Sequence, residues 1–378
     1  MFARIKRNIY AEEPVNSGRQ NELDLAKCVV IFCMAIVHCI GECTPEEGLS
    51  FGIPYLFDTV IGGPLTAPLF MFAMGVGMAY SRRSTAKEHL RRGVYLIATN
   101  FALNIIRYLV PSMIGYVLTG DHNNYIHPLW YRFFENDILF FAGLAMICIA
   151  LFLHCRLSDG IMLLISLILS LFGTIFRGID VGSPVGNILL GYLIGTEDAQ
   201  GMVLSTFVLC NWLIFPVSGY IFGKRLRTVK DKVLFYRYLS LPCLLLAVAY
   251  FAVGIHYEFG MFGEGQNCFY HMITTDAAAS ICAALGILGI YYWLVRYLPQ
   301  KALAVVQDIS GNVNAIYCIH WVLIAMTVNV LLYVWRGTQE LPIAVALLLG
   351  TVISLVSMWF AHLWKNWKKK KNIVREGV

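Results

Sequence analysis

The stretch that decides the fold runs from Asn21 to Glu42, NELDLAKCVVIFCMAIVHCIGE, which is apolar but carries charged and titratable side chains. On a helical wheel with about 100° per residue, Asp24, Lys27, His38 and Glu42 fall on one face, and Lys27 and His38 lie roughly 16 Å apart along the axis. A charge at the centre of a membrane-spanning helix costs on the order of 2.5–3.5 kcal/mol. We therefore predict that this polar stripe faces a protein-lined or water-lined interior. The alternative is a snorkelling lysine and one hydrogen-bonded core histidine.

The composition is that of a polytopic helical membrane protein. Of the 378 residues, 58% are hydrophobic and only 14% are charged, and the mean hydropathy is +0.66. A soluble domain of this size would carry about 25% charged residues. The N-terminal tail is polar and basic without an apolar core region, so we expect no cleavable signal peptide. The first helix then acts as the insertion signal.

Cysteine usage and motif content exclude several classes of function. Most of the 11 cysteines lie in or beside apolar segments, where cysteine behaves as a small hydrophobic residue. Only Cys43 and Cys268 fall in segments that we place outside the cytoplasm, and a disulfide between them is left open. No metal-ligand spacing, nucleotide-binding fingerprint or serine-hydrolase elbow is present, and we predict no metal and no nucleic-acid partner.

Apolar windows of roughly 17–25 residues predict an all-α integral membrane protein, a single bundle of about ten transmembrane helices. The predicted domains are a cytosolic N-terminal tail (1–22), a polytopic membrane domain (23–363) and a basic cytosolic C-terminal tail (364–378). The spans are placed near 24–41, 59–81, 93–118, 137–155, 160–176, 204–223, 238–255, 277–297, 311–335 and 341–362.

The distribution of lysine and arginine predicts the orientation in the membrane. Most of the 29 basic residues lie in alternate connections and in both tails, whereas the intervening loops hold only Arg132, Arg177 and Arg336. By the positive-inside rule both termini are cytosolic, and an even number of spans agrees with this. The basic segments are interpreted as topology signals and anchors to anionic lipid. A second interpretation is that they attract an anionic cytosolic cofactor.

The third span carries a second polar stripe. Asn100, Asn104 and Arg107 fall on one helix face, and Arg107 is too deep in the span to snorkel easily. We predict that these side chains line the same cavity as His38. The alternative is a structural ion pair between Arg107 and an acid such as Glu42, because charges inside membranes are usually paired.

Two of these segments resemble a known family. The spacing of Asp24, Lys27 and His38 resembles the first helix of the membrane-embedded acyltransferase-3 family, which typically carries Arg-x10-His. Lys27 departs from that arginine, so a bidentate phosphate contact is lost although a point charge remains. In the ninth span, NVNAIYCIH ending at His320 resembles the Ile-Tyr-x-x-His of the same family. A buried histidine bonded to a neighbouring helix is the alternative there.

Two further motifs resemble the heparan-glucosaminide N-acetyltransferase-like branch of the same superfamily. They are PLFMFAMG (68–75) in the second span and FPVSGYIFGKRL (215–226) in the sixth. Close helix packing through Gly75 and Gly77 is the default account of the first motif. The resemblances cover spans one, two, six and nine in the order of the family.

What the resemblance implies is an acyl-CoA-dependent acyltransferase, multi-pass in a bacterial cytoplasmic membrane. It would move an acyl group, expected to be acetyl, from cytosolic acetyl-CoA or another acyl-CoA to an extracytoplasmic glycan or glycoconjugate. A hydroxyl acceptor corresponds to O-acetylation and polysaccharide modification, and an amino acceptor stays open. The outer loops 120–137 and 256–271 are rich in Tyr, Trp, Asn and His, which suits a carbohydrate, although interfacial aromatic belts explain them equally well.

The roles expected at this site follow from the chemistry of each side chain. A neutral histidine suits proton removal from a hydroxyl or amine at working pH, and a nearby cation or amide can stabilise an oxyanion. Direct transfer and a relay through an acyl-histidine both stay open. The predicted catalytic residues are His38 as base, Glu42 orienting its ring, Arg107 at the oxyanion, and His320 as the rival base. The predicted donor-binding residues are Lys27, Asp24, Asn100 and Asn104.

Other classes of function remain possible from the sequence. One is a transporter that uses the polar stripes for proton-coupled substrate movement, and another is a non-catalytic assembly or flippase partner. A transporter should ignore acetyl-CoA, whereas a non-catalytic protein should tolerate replacement of His38. The oligomeric state is open, and a homodimer is one option.

Overall fold

The computed structural model describes residues 9–45, 52, 55, 57–127, 129–197, 205–263 and 268–375. Over these residues the regular structure is helical, and strand-like pairing is limited to two isolated bridges, which confirms the all-α fold. The α-helices are α1 (Asn21–Cys43), α2 (Ala67–Tyr80), α3 (Ala86–Asn104), α4 (Val110–Thr119), α5 (His122–Tyr125), α6 (Leu129–Phe133), α7 (Ile138–His154), α8 (Asp159–Ile175), α9 (Pro184–Gly191), α10 (Leu209–Trp212), α11 (Ile214–Arg227), α12 (Lys232–His256), α13 (Thr274–Leu294), α14 (Gln300–Gly311), α15 (Val313–Ile324), α16 (Tyr333–Arg336) and α17 (Ile343–Arg375).

Within the described residues, eight helical segments are long and apolar enough to cross a membrane, which confirms a polytopic membrane protein. They correspond to eight of the predicted spans. The other two predicted spans, 160–176 and 204–223, contain shorter helices, α8 with 17 residues and α11 with 14 residues. At about 1.5 Å per residue, α8 covers roughly 25 Å, which is less than the hydrocarbon thickness of about 30 Å. Residue 204 lies outside the described residues.

Wider, π-helical turns interrupt several of the long segments. Ile105–Leu109 joins α3 to α4, and Ala325–Leu332 joins α15 to α16. These two turns contact each other, and the first carries Arg107. π-Helical turns inside α-helices are rare and are frequent at functional sites.

The chain divides into two compact units. The first comprises the described residues of Met1–Gln20, Ala67–Ala102 and Tyr131–Trp293, and the second comprises those of Asn21–Thr66, Leu103–Trp130 and Leu294–Val378.

In the first unit, α2 and α11 pack through glycines that permit close backbone approach. A Cβ atom on Gly75 would collide with the backbone of Pro216, and one on Gly219 would collide with the backbone of Phe72. This confirms the packing role predicted for Gly75. The two motifs that resemble the N-acetyltransferase branch therefore face each other across one helix contact.

The described part of the N-terminal tail also belongs to the first unit. The backbone N–H of Ala11 donates to the carbonyl of Thr228 at 2.8 Å, and Nζ of Lys232 donates to Oε1 of Gln20 at 2.8 Å. The tail is thus tied to the connection between α11 and α12 immediately before the chain enters α1.

Tyr270 and His271, at the end of the aromatic loop that precedes α13, form hydrogen bonds within the first unit. Nε1 of Trp212 donates to the carbonyl of Tyr270 at 2.7 Å, and the buried His271 ring lies 2.7 Å from the carbonyl of Ser205. Burial lowers the pKa of His271 below its ordinary value, and the Ser205 contact opposes that shift in part. Cys43 belongs to the second unit and Cys268 to the first, and a disulfide between them stays open.

In the second unit, α1 packs against α14, α15 and α17. Gly350 lets α17 approach closely, because a Cβ atom there would lie 2.7 Å from Cα of Ile36. Oγ of Ser354 donates to the carbonyl of Phe32 at 3.3 Å on the same contact. Since α17 covers this apolar side of α1, the polar stripe of α1 meets α14 and α15 instead.

Candidate active site

The two histidines predicted as rival bases lie side by side in the second unit. The ring centroids of His38 on α1 and His320 on α15 are 5.5 Å apart, and the ring planes are inclined by only 13°. His320 is fully buried and His38 is half-buried. The direct contact between α1 and α15 makes the two residues members of one cluster rather than alternatives.

A backbone carbonyl defines the tautomer of His320. Nδ1 lies 3.1 Å from the carbonyl oxygen of Ile316. Because a carbonyl only accepts, Nδ1 carries the proton in the neutral ring and Nε2 holds the lone pair. Nε2 is buried without a hydrogen-bond partner among the residues that the structure describes. A buried acceptor without a hydrogen-bond partner destabilises the folded protein. Such atoms are often found on side chains that take part in a reaction.

Trp321 joins this cluster, and the sequence reasoning missed it. Its ring centroid lies 4.2 Å from that of His38, with a tilt of 30°. The guanidinium carbon of Arg107 lies 3.9 Å from the Trp321 ring centroid, which is cation–π geometry. The signal available in the sequence was its position directly after His320 in a motif that was already singled out.

Arg107 lies in the π-helical turn and is only 2% exposed. Its guanidinium carbon is 4.3 Å from the ring centroid of Tyr108, and Nη2 donates to the Tyr108 hydroxyl. Arg107 and His38 thus share Trp321 as a neighbour, and that they line one cavity stays a prediction.

Glu42 does not take either role considered for it. Within the described residues it forms no hydrogen bond and no ion pair, so it neither orients the His38 ring nor pairs with Arg107. The i, i+4 spacing of His38 and Glu42 places them on one helix face, but it does not determine their side-chain conformations. Two ring contacts of His38 come from α15, those with His320 and Trp321.

The start of α1, where donor binding was predicted, is joined to α14. Oγ of Ser310 donates to Oδ1 of Asp24 at 2.6 Å, and Nε2 of Gln307 donates to Oδ1 of Asn21 at 2.9 Å. Asp24 is buried, and Lys27 is half-buried one turn further along the helix. Hydrogen bonds from α14 therefore hold the side chains of Asn21 and Asp24, at this end of the polar stripe, in place.

The two asparagines of the third span have different surroundings. Asn104 is fully buried and directly precedes the π-helical turn that carries Arg107. Asn100 belongs to the first unit, where its amide nitrogen donates to the carbonyl of Glu135 at 3.4 Å. Donor binding by Asn100 and Asn104 stays a prediction.

The cluster has the groups that proton transfer and anion stabilisation require. Two imidazoles supply a proton acceptor and a neutral neighbour, and a buried guanidinium supplies positive charge in a medium of low dielectric. In the parts of the chain that the structure describes, no group of three or more histidine, cysteine, aspartate or glutamate side chains could hold a metal ion.

The fold is that of a polytopic membrane protein, and its second unit holds a cluster of two histidines, a tryptophan and an arginine. Residues 20–362 match the acyltransferase domain of the acyltransferase-3 family, and the chain belongs to that family. It is therefore a membrane acyltransferase by family. No curated protein matches the chain significantly.

Proposed function

We propose that this protein moves an acyl group, acetyl in the first instance, from cytosolic acyl-CoA to a hydroxyl group of an extracytoplasmic glycan or glycoconjugate. An amino group is the second acceptor considered. The proposal places the enzyme in a bacterial cytoplasmic membrane, where it would serve polysaccharide modification. The observation that carries it is the contact of His38 with both His320 and Trp321, with Arg107 over the same indole.

In this mechanism His38 removes the proton from the acceptor hydroxyl. His38 is half-buried and His320 is fully buried, so the base is assigned to the less buried of the two imidazoles, although Nε2 of His38 is itself shielded from solvent. The hydroxyl oxygen attacks the thioester carbon and forms the new C–O bond, and Arg107 stabilises the oxyanion. Collapse of the intermediate breaks the C–S bond, and the departing CoA thiolate takes the proton back from His38. Proton transfer of this kind contributes typically about 10²–10⁴-fold to the rate.

His320 supports that step as a neutral partner. Its proton is held at Nδ1 by the Ile316 carbonyl, so the neutral ring adds no positive charge beside the imidazolium that forms on His38. A two-step route through an acylated histidine uses the same residues. Acid quenching during turnover, followed by analysis of labelled peptides, distinguishes the two routes.

The donor is proposed to enter at the predicted cytosolic end of α1. Lys27 supplies a cation for a CoA phosphate, and α14 holds the neighbouring Asp24 in place through Ser310. The distance of roughly 16 Å along α1 from Lys27 to His38 suits an extended pantetheine arm that carries the thioester to the histidine pair.

The test uses inside-out membrane vesicles that contain the full-length protein. Radiolabelled acetyl-CoA is added to the outer solution, which is the cytosolic face, and label in glycan and released CoA thiol are both measured. His38→Gln should abolish transfer while acetyl-CoA binding persists, because glutamine keeps polarity but cannot act as a base. His320→Gln should reduce transfer and leave binding unchanged.

The matched control is His154→Gln, the same exchange at an exposed histidine at the end of α7. It should leave both readouts unchanged. An active His38→Gln enzyme beside an inactive His320→Gln enzyme would transfer the base assignment to His320. A protein that neither binds nor consumes acetyl-CoA while a solute still crosses the vesicle membrane would support the transporter instead.

A further inference from the structure

The first unit contains a groove of about 450 Å³ between α12 and α13. It lies at the end of α12 that follows the connection predicted to be cytosolic. Its walls are mainly apolar, and Leu241, Leu244, Ile290 and Trp293 are among the residues that line it.

Gly286 and Gly289 on α13 line the floor of the groove. A Cβ atom on Gly286 would lie 2.9 Å from Cβ of Leu244, and one on Gly289 would collide with Ser240. The two helices therefore approach closely along one line and leave a recess beside it. The polar atom in this floor is satisfied internally, because Oγ of Ser240 donates to the carbonyl of Leu285 at 3.1 Å.

The mouth of the groove carries a cation. Arg237 is the charged member of the described lining residues, and it is exposed. It forms no hydrogen bond and no ion pair with any residue that the structure describes. It lies five positions after Lys232, which is held by Gln20. A guanidinium at the edge of the hydrocarbon region is expected to bind an anion, and phosphate is the anion that membranes present at that depth.

We propose that this groove binds one anionic phospholipid. The phosphate lies at Arg237, and an acyl chain runs along Leu241 and Leu244 on α12 and Ile290 on α13. A basic residue at the end of an apolar recess between helices is the arrangement that recognises anionic headgroups. The recess also falls within the usual range of ligand-pocket volumes, about 300–1,000 Å³. This site is separate from the histidine cluster and does not depend on the proposed function.

The experiment measures which lipids stay bound to the intact protein. Full-length protein is reconstituted in nanodiscs of equimolar phosphatidylglycerol and phosphatidylcholine, and retained lipid is identified by native mass spectrometry. Wild type should retain phosphatidylglycerol in preference. Arg237→Gln should lower the bound ratio of phosphatidylglycerol to phosphatidylcholine roughly fivefold, the factor that corresponds to about 1 kcal/mol per basic residue. Arg91→Gln, at another exposed arginine on the predicted cytosolic side, is the matched control and should not change the ratio.

Filling the groove tests the acyl-chain part separately. Leu241→Trp and Ile290→Trp add bulk at exposed positions and keep Arg237, so both should reduce retention of phosphatidylglycerol and phosphatidylcholine alike. Size-exclusion profiles that match wild type verify folding, and either variant suffices. An unchanged ratio in Arg237→Gln, an equal fall in Arg91→Gln, or full lipid retention in a folded groove-filled variant would overturn the proposal. Displacement of the lipid by palmitoyl-CoA at equal concentration would also overturn it and would assign the groove to an acyl donor.

Discussion

Replacing Trp321 by leucine should slow acyl transfer while leaving donor binding intact. The indole contacts both groups that act on the reaction in the proposed mechanism, the Arg107 guanidinium at 3.9 Å and the His38 ring at 4.2 Å. Leucine keeps an apolar side chain but has no aromatic face. Both groups would then lose the surface that positions them, whereas Lys27, at the far end of α1, would not be affected.

The size of the effect follows from the two contacts. A desolvated cation–π contact is worth about 2 kcal/mol, and an aromatic pair adds about 0.5–1.5 kcal/mol. Complete loss of both, about 2.5–3.5 kcal/mol, corresponds to a fall in kcat of roughly 70- to 400-fold. Because neighbouring side chains relax into the space, we expect a fall of about 10- to 100-fold. Trp321→Phe keeps a smaller aromatic face and should lose less than about tenfold.

The assay is the initial rate of CoA release in vesicles as a function of acetyl-CoA concentration, which separates kcat from KM. Trp335→Leu is the matched control, the same exchange in the same unit at a tryptophan that is 83% exposed. It should leave both constants unchanged. A rise in KM at constant kcat for Trp321→Leu, or equal effects of the two leucine variants, would refute the positioning of Arg107 and His38 by Trp321.

Three further outcomes are expected. Lys27→Ala should weaken acetyl-CoA binding strongly and Lys27→Arg should retain much of it, because phosphate recognition needs a cation; equal losses in a binding titration would indicate a structural lysine. Asp308→Asn should lower the free energy of unfolding at neutral pH by at most about 1 kcal/mol, which is seen as a lower thermal midpoint. Burial raises the pKa of Asp308, but the hydrogen bonds and charges of Lys365 and His362 outweigh burial and lower the pKa overall. This stabilisation is therefore present above the ordinary pKa of about 3.9 and disappears as the pH falls through the lowered value, so melting curves of the two proteins should converge at low pH. Gly219→Ala should destabilise by about 1–3 kcal/mol in denaturation assays, because its Cβ would meet the Phe72 backbone, whereas Gly160→Ala has no atom within 4 Å to meet and should not.

Local patterns in the sequence were enough to predict eight of the ten spans and several residues of the candidate site. An apolar run of sufficient length reports a helix in a membrane whatever its neighbours are, since the backbone groups must bond within the segment. The short helix α8 and the broken region around α10 and α11 departed from the expected lengths. Helical periodicity also identified His38 and Arg107, because a titratable side chain deep in a span needs a polar interior.

Pairings between helices could not be predicted in this way. Periodicity on α1 suggested that Glu42 would orient His38, but Glu42 forms no hydrogen bond with a described residue, and the His38 ring packs against His320 and Trp321. The signal for Trp321 was limited to its position directly after His320, since an aromatic residue in a span is usually a packing or interfacial residue.

By itself, the sequence determined an all-helical membrane protein with a polar stripe on its first helix and a buried arginine in its third span. These are properties of single helices, which depend on apolar length and on the 3.6-residue period. The tertiary structure decided that the two histidines stack, that Trp321 contacts both His38 and Arg107, and that Glu42 stays outside the cluster. The reason is that these contacts join α1, the turn after α3 and α15, and their register is set by where small residues such as Gly350 let helices approach.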